Sequence, residues 1–129
     1  MPFRLFIVDD DPEYSALLQF QLRKLEDTDI QVFSRGEHAQ DCLDRKPDLI
    51  LLDIVMPGQG GLETLRQLRL SNKDLNIIVL SSQTVVSVAL EALKLGAYDY
   101  ITKGHDDTVK VRRLVEQLIE RQNLAEEVE

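Results

Sequence analysis

The chain has 129 residues, enough for one domain with a real core and too few for two, since domains run roughly 100 to 200 residues. Apolar residues at 43% and charged residues at 29% exclude the low-hydrophobicity, high-charge signature of disorder. A formal net charge of -8 works against sequence-independent binding to a phosphate backbone, which needs surplus Lys and Arg, so no direct contact with nucleic acid is expected.

The first apolar run, residues 5–8, reads as a strand and leads into Asp9-Asp10-Asp11. Pro12 suits the first position of a helix, on which Leu18, Leu22 and Leu25 recur at helical spacing. Residues 30–33 give a second strand, and Ala39, Cys42 and Leu43 mark a short second helix. Residues 49–52 form a third strand that ends in Asp53, and Leu62, Leu65 and Leu68 follow the glycine-rich residues 58–61 as a third helix. Residues 77–80 lead to Ser81. Val85, Ala89, Ala92 and Leu93 then give a fourth helix, ended by Gly96. Residues 98–101 are the fifth strand and run into Thr102-Lys103. Val111, Leu114, Val115 and Leu118 define a long last helix.

Five βα units with short connections demand right-handed crossovers and a parallel sheet covered by helices on both faces, an α/β fold. None of the apolar runs approaches the roughly 20 residues of a spanning helix, and the opening MPFRLFIVDDD turns acidic too soon for a secretory signal. A cytoplasmic location away from membranes is the expectation. The single cysteine, Cys42, can form no internal disulfide and builds no metal cage alone, so it is read as a small buried hydrophobe.

Ligands of open α/β sheets bind outside the carboxyl ends of the strands, and here the strand ends are polar: Asp9 to Asp11, Asp53, Ser81, Thr102 and Lys103. Carboxylates gathered from neighbouring strands repel one another unless a cation neutralises them, and hard oxygen ligands of this kind suit Mg²⁺. Lys103 adds a point charge from the far side, giving a pocket equipped to stabilise a phosphoryl group. Taken singly, each residue has an ordinary explanation. Asp11 before Pro12 reads as a helix cap, Ser81 as a strand-end hydroxyl, Lys103 as a surface lysine and Tyr100 as a core aromatic. His38 and His105 are isolated and read as solvated.

The strings LFIVDDDP, DLILLDIVMPG, IIVLSS and GAYDYITK, in this order, resemble the receiver domains of bacterial two-component systems over nearly the whole chain. The resemblance implies a flavodoxin-like (βα)5 doubly wound sheet with strand order 2-1-3-4-5. It makes Asp53 the acceptor of a phosphoryl group from the phosphohistidine of a sensor histidine kinase or phosphotransfer protein. Asp10 is implied as a direct Mg²⁺ ligand, Asp9 as one acting mainly through water, and the Val55 carbonyl and Asp53 as the remaining ligands. Ser81 and Lys103 would contact the phosphoryl group, and Ser81 with Tyr100 would switch the face built from the fourth helix, fifth strand and fifth helix. That face would control an output, through a second copy or an effector domain. Such a domain is a timed switch with Mg²⁺-assisted self-phosphorylation and slow self-dephosphorylation, not a conventional enzyme.

Residues 1–121 are assigned to the receiver domain and 122–129 to a helical extension or linker, because Leu124 and Val128 lie beyond any strand that would cover them. Gly104 stands where the family usually has proline after the lysine, with a cis bond between them. The expectation is therefore a trans or mobile loop and a less firmly aimed Lys103. Gly58-Gln59-Gly60-Gly61 is richer in glycine than the family pattern and is expected to free the loop after the third strand. Two other classes compete. Asp9-x-Asp11 superficially gives the DxD of haloacid-dehalogenase-like phosphohydrolases, although Glu13 departs from that pattern, and a pseudo-receiver would bind partners without phosphorylation.

Overall fold

The computed structural model describes residues 2–55, 60–82, 86–104 and 106–128. Five strands, β1 (Phe3–Val8), β2 (Thr28–Phe33), β3 (Leu49–Asp53), β4 (Asn76–Ser81) and β5 (Asp99–Thr102), form one sheet in the order β2-β1-β3-β4-β5. All neighbouring pairs are parallel. The intervening helices are α1 (Pro12–Leu22), α2 (Gly36–Asp41), α3 (Gly61–Ser71), α4 (Val86–Lys94) and α5 (Asp107–Val128), with a 3₁₀ turn, Leu43–Arg45, after α2. This is the flavodoxin-like (βα)5 fold, and its order reverses between β1 and β3.

Strand alternation divides the core into two layers. Leu5, Ile7, Leu49, Leu51, Ile78 and Leu80 pack with Leu18 and Leu22 of α1 and with Val111, Val115 and Leu118 of α5. Phe6, Val8, Ile50, Leu52, Ile77 and Val79 face the other way, against Ala39 of α2, Leu65 and Leu68 of α3, and Ala92 of α4. Every residue of β3 is buried, which is why that strand is an uninterrupted apolar run until Asp53.

Three expectations need correction. The second helix stops at Asp41, and Cys42 is the residue that caps it, half-buried against the α2 layer instead of fully enclosed. In α4 only Ala92 is buried. Leu93 lies exposed with Val86 and Leu90 because the short helix turns its larger side chains outward, and Val85 falls outside the described residues. Gly61, expected to loosen the loop after β3, instead permits a close approach. A Cβ there would overlap the Ile54 backbone and lie 2.6 Å from the Asp53 carbonyl oxygen, and the Gly61 N–H donates to the Ile54 carbonyl at 2.9 Å. Gly58 and Gln59 lie outside the described residues.

Candidate functional site

Backbone pairing brings the polar strand ends together. The Asp9 N–H donates to the Phe33 carbonyl at 2.9 Å, fixing the residue just beyond β1, and Asp53 pairs in register with Leu80, one residue before Ser81. Ser81 pairs with Thr102, and the Lys103 N–H donates to the Ser81 carbonyl at 2.7 Å. Asp53, Ser81 and Lys103 therefore follow one another across the same end of the sheet, beside the crevice where strand order reverses.

Carboxylate oxygens of Asp9, Asp10 and Asp53 lie within 4.8 Å of one another, with Asp9 and Asp53 buried and Asp10 exposed. Lys103 reaches into this group: its Nζ donates to Asp9 Oδ2 at 2.9 Å and stands 3.4 Å from Asp53 Oδ1. The other Asp9 oxygen accepts from the Asp11 N–H at 2.9 Å. Burial, and then the neighbouring Asp9 charge, push the Asp53 carboxyl from 3.8 up to about 6, against the lowering effect of Lys103 and of the Val55 N–H that donates to it. Asp53 thus stays mostly ionised at neutral pH. For Lys103, burial alone would lower the ammonium, but the hydrogen bond to Asp9 and the charge of Asp53 outweigh it and the net shift is upward. One ammonium against three carboxylates leaves an excess of negative charge that a hard dication would neutralise, and the all-oxygen donor set fits Mg²⁺.

Gly104 does not loosen the lysine. The Lys103–Gly104 peptide is trans, and Lys103 is nevertheless held by two carboxylates, because its charge finds partners in the pocket whatever residue follows it. Asp11 is a helix cap, its Oδ1 accepting from the N–H groups of Glu13 and Tyr14 at 3.0 and 3.4 Å. That oxygen serves the first turn of α1, as the helix-cap reading of Asp11 expects. Ser81 is fully buried. Together with the half-buried Tyr100 and with Val88, Ile54 and Val55 it lines a cavity of about 290 Å³. Val55 is exposed just past the end of β3, and His38 is exposed on α2; His105 lies outside the described residues.

Two residues of the site escaped sequence reasoning. The ring centroid of Tyr14, in the first turn of α1, is 4.2 Å from Lys103 Nζ, and its hydroxyl donates to Asp107 Oδ2 at 2.6 Å. Tyr14 stands in the first turn of α1 and Asp107 opens α5 directly after the fifth strand's loop, and no local pattern in the sequence sets either apart.

Residues 5–114 match the family described as response regulator receiver domain. The chain belongs to that family. It is 36% identical over 111 residues to the transcriptional regulatory protein CpxR of Escherichia coli (strain K12), a match that takes in 86% of this chain and 47% of CpxR. The chain therefore spans about half the length of this curated relative. Among solved structures, the BeF₃-activated N-terminal receiver domain of Klebsiella pneumoniae RstA is 37% identical with a TM-score of 0.78, covering 89% of this chain and 97% of that one. The receiver domain of a LuxO repressor protein from Vibrio parahaemolyticus has a TM-score of 0.87 at 24% identity, covering 100% and 98%, and attests the fold. The function of the family follows: this is a receiver domain of the two-component response-regulator type, a class whose general mechanism is phosphorylation on aspartate, and not a conventional enzyme. Receiver domains generally bind Mg²⁺, and the acidic cluster such binding needs is present. No described helix is long and apolar enough to cross a membrane.

Proposed function

We propose that Asp53 is the phosphoryl acceptor of this receiver domain and that it takes its phosphoryl group from the phosphohistidine of a sensor histidine kinase or phosphotransfer protein. The setting of Asp53 carries the proposal: a buried carboxylate at the end of the central strand, 3.4 Å from an ammonium and grouped with Asp9 and Asp10. The Asp53 oxygen attacks phosphorus, the nitrogen–phosphorus bond breaks, and the electron pair leaves with the donor imidazole. No general base is required, because the carboxylate is already mostly ionised at neutral pH. Lys103 neutralises a phosphoryl oxygen, and the Ser81 hydroxyl donates to another.

Asp10 and Asp53 are direct Mg²⁺ ligands in this proposal, with Asp9 acting mainly through water and the Val55 carbonyl completing the protein set. Asp9 suits the indirect role, since both of its oxygens already accept protein hydrogen bonds. Bound there, the ion supplies charge neutralisation for the transferring group. Self-phosphorylation from a small phosphodonor and slow self-dephosphorylation follow from the same pocket. Intact mass after incubation with acetyl phosphate and Mg²⁺ tests this. A phosphoryl increment is expected in the wild type and not in Asp53→Ala or in EDTA, and an increment that survives either change overturns it.

Ser81 and Tyr100 are the switch. They share one cavity, so a phosphoryl group that draws the Ser81 hydroxyl toward Asp53 opens room for the Tyr100 ring and biases the α4, β5 and α5 face by a few kcal/mol at most. The exposed Val86, Leu90 and Leu93 of α4 give that face an apolar surface for a second copy or an effector domain. The helix α5 runs without a break across residue 121, and Leu124 is 60% exposed, in keeping with residues 122–129 as an extension or linker beyond a domain of residues 1–121; the Val128 side chain lies outside the described residues. The chain's net charge of -8 speaks against direct contact with nucleic acid, and the reading is completed by a cytoplasmic site of action away from the membrane. Amide exchange with and without beryllofluoride should change across residues 84–105, and sedimentation under the same conditions reads self-association.

A further inference from the structure

Among the described residues, the ammonium of Lys103 meets the carboxylates of Asp9 and Asp53 and one aromatic ring. Asp53 is the group that a bound dication and the phosphoryl group would claim, and Asp9, although it accepts from Lys103, would also face the water of a bound dication, so the lysine shares both partners with the reacting groups. The Lys103 N–H is held by the Ser81 carbonyl at 2.7 Å, but beyond it the chain is open, since a Cβ on the adjacent Gly104 would meet nothing within 4 Å. The aromatic ring is that of Tyr14, with its centroid 4.2 Å from Nζ.

That ring is itself fixed. Tyr14 is half-buried against the α1 and α5 layer, and its hydroxyl donates at 2.6 Å to the buried Asp107, the first residue of α5. The contact joins residues 93 apart in sequence and pins the start of α1 to the start of α5, on either side of the loop that carries Lys103. The phenol remains a donor, because burial, the hydrogen bond to Asp107 and the charges of Asp107, Asp9 and Asp53 all push its ionisation above the ordinary range. An aromatic face attracts an ammonium yet carries no net charge. It neither competes for the dication nor repels phosphoryl oxygens, as a carboxylate in the same place would.

We propose that Tyr14, anchored by Asp107, is a positioning residue for Lys103, holding the ammonium over the acceptor when the pocket's carboxylates are engaged by other groups. The inference rests on Asp53 as the acceptor.

A double-mutant cycle on the full chain tests it, using Tyr14→Leu, Lys103→Met and the combined variant. The readouts are the acetyl phosphate phosphorylation rate in saturating Mg²⁺ and the NMR shift of the Lys103 ε-methylene. Tyr14→Leu should slow phosphorylation by about 2- to 30-fold, the range of one cation–π contact, and should add nothing in the Lys103→Met background. The ε-methylene should move downfield in Tyr14→Leu as the ring current is lost. Multiplicative effects in the cycle, or an ε-methylene shift that ignores Tyr14→Leu, would overturn the proposal. Should Tyr14→Leu fail to fold, Tyr14→Phe and Asp107→Ala each untether the ring. Both should move the ε-methylene signal and slow phosphorylation about twofold or more, and an unmoved signal in both overturns the anchor. A wild type that takes no phosphoryl group defeats the acceptor assignment instead, while the ε-methylene shift still decides whether Tyr14 holds Lys103.

Discussion

Asp53→Asn should make the domain more stable in the absence of divalent ions, because it removes a carboxylate charge that burial and Asp9 both disfavour. Burial first, and the Asp9 charge second, lift the Asp53 carboxyl from 3.8 to about 6 in the folded chain. At about 1.4 kcal/mol per pH unit, that gap corresponds to ~3 kcal/mol. The sign follows from the order of ionisation. The unfolded chain releases the Asp53 proton near the ordinary value, the folded chain only near 6, so rising pH favours the unfolded state between these values. The penalty is absent below about pH 4, grows up to about pH 6 and is complete above about pH 7. Asn carries no such penalty, and Lys103 keeps its partner Asp9 at 2.9 Å in the variant. The raised value already includes the opposing pull of Lys103, and the cost of burying the amide takes up part of the gain, leaving about 1–3 kcal/mol at pH 8 in EDTA, a measurable share of a typical 5–15 kcal/mol total. Urea unfolding of wild type and variant in parallel across this pH range isolates the difference, since the other carboxylates cancel. A variant no more stable than wild type at pH 8, or a gain that does not shrink on acidification, refutes the reasoning. Mg²⁺ should narrow the gap by stabilising the wild type preferentially.

Asp10→Asn should weaken Mg²⁺ binding by about tenfold or more, whereas Asp11→Asn should change it less than about twofold, because Asp11 caps α1 and Asn is an equally good cap; titration of the two variants separates them, and equal losses would count against the ligand assignment. Ser15→Ala should raise stability by about 1 kcal/mol, since the buried Ser15 hydroxyl has no hydrogen-bond partner among the described residues and alanine is the better helix former. A loss of urea stability would show that the hydroxyl is satisfied. Gly61→Ala should destabilise by about 1–3 kcal/mol, because the added methyl would strike the backbone of Ile54 and the Asp53 carbonyl and not a side chain able to swing aside. An unchanged melting temperature would contradict that close approach.

The layers of this fold were legible because burial is written into hydrophobic periodicity. β3 and β4, covered on both sides, read as continuous apolar runs, and the stripes of α1, α3 and α5 pointed at them. Strand ends were less legible. β2 begins at Thr28 because Thr28 and Asp29 pair with Phe3 and Arg4 through the backbone, and a ladder does not require apolar side chains. In α4 the pattern misled for the opposite reason: its leucines look like core residues, but Ala92 is the residue of α4 that packs in the core, and Leu90 and Leu93 stay outside.

The same division runs through the site. Asp9, Asp53, Ser81 and Lys103 announced themselves because each interrupts an apolar strand at its carboxyl end, where a polar side chain has no structural reason to recur on strand after strand. Tyr14 and Asp107 sit on helices, where aromatic and acidic residues are common, and their meaning lies in a contact across 93 residues that no local window contains. Gly104 shows how a local rule can point the wrong way. Glycine frees the backbone after Lys103, and from that freedom a loosely aimed lysine was expected. But the aim of a long charged side chain is set at its far end, and two carboxylates and an aromatic face converge there. The backbone freedom that glycine allows is consistent with the loop settling wherever those three contacts are best made, so the substitution relocates the constraint from the chain to the pocket without removing it.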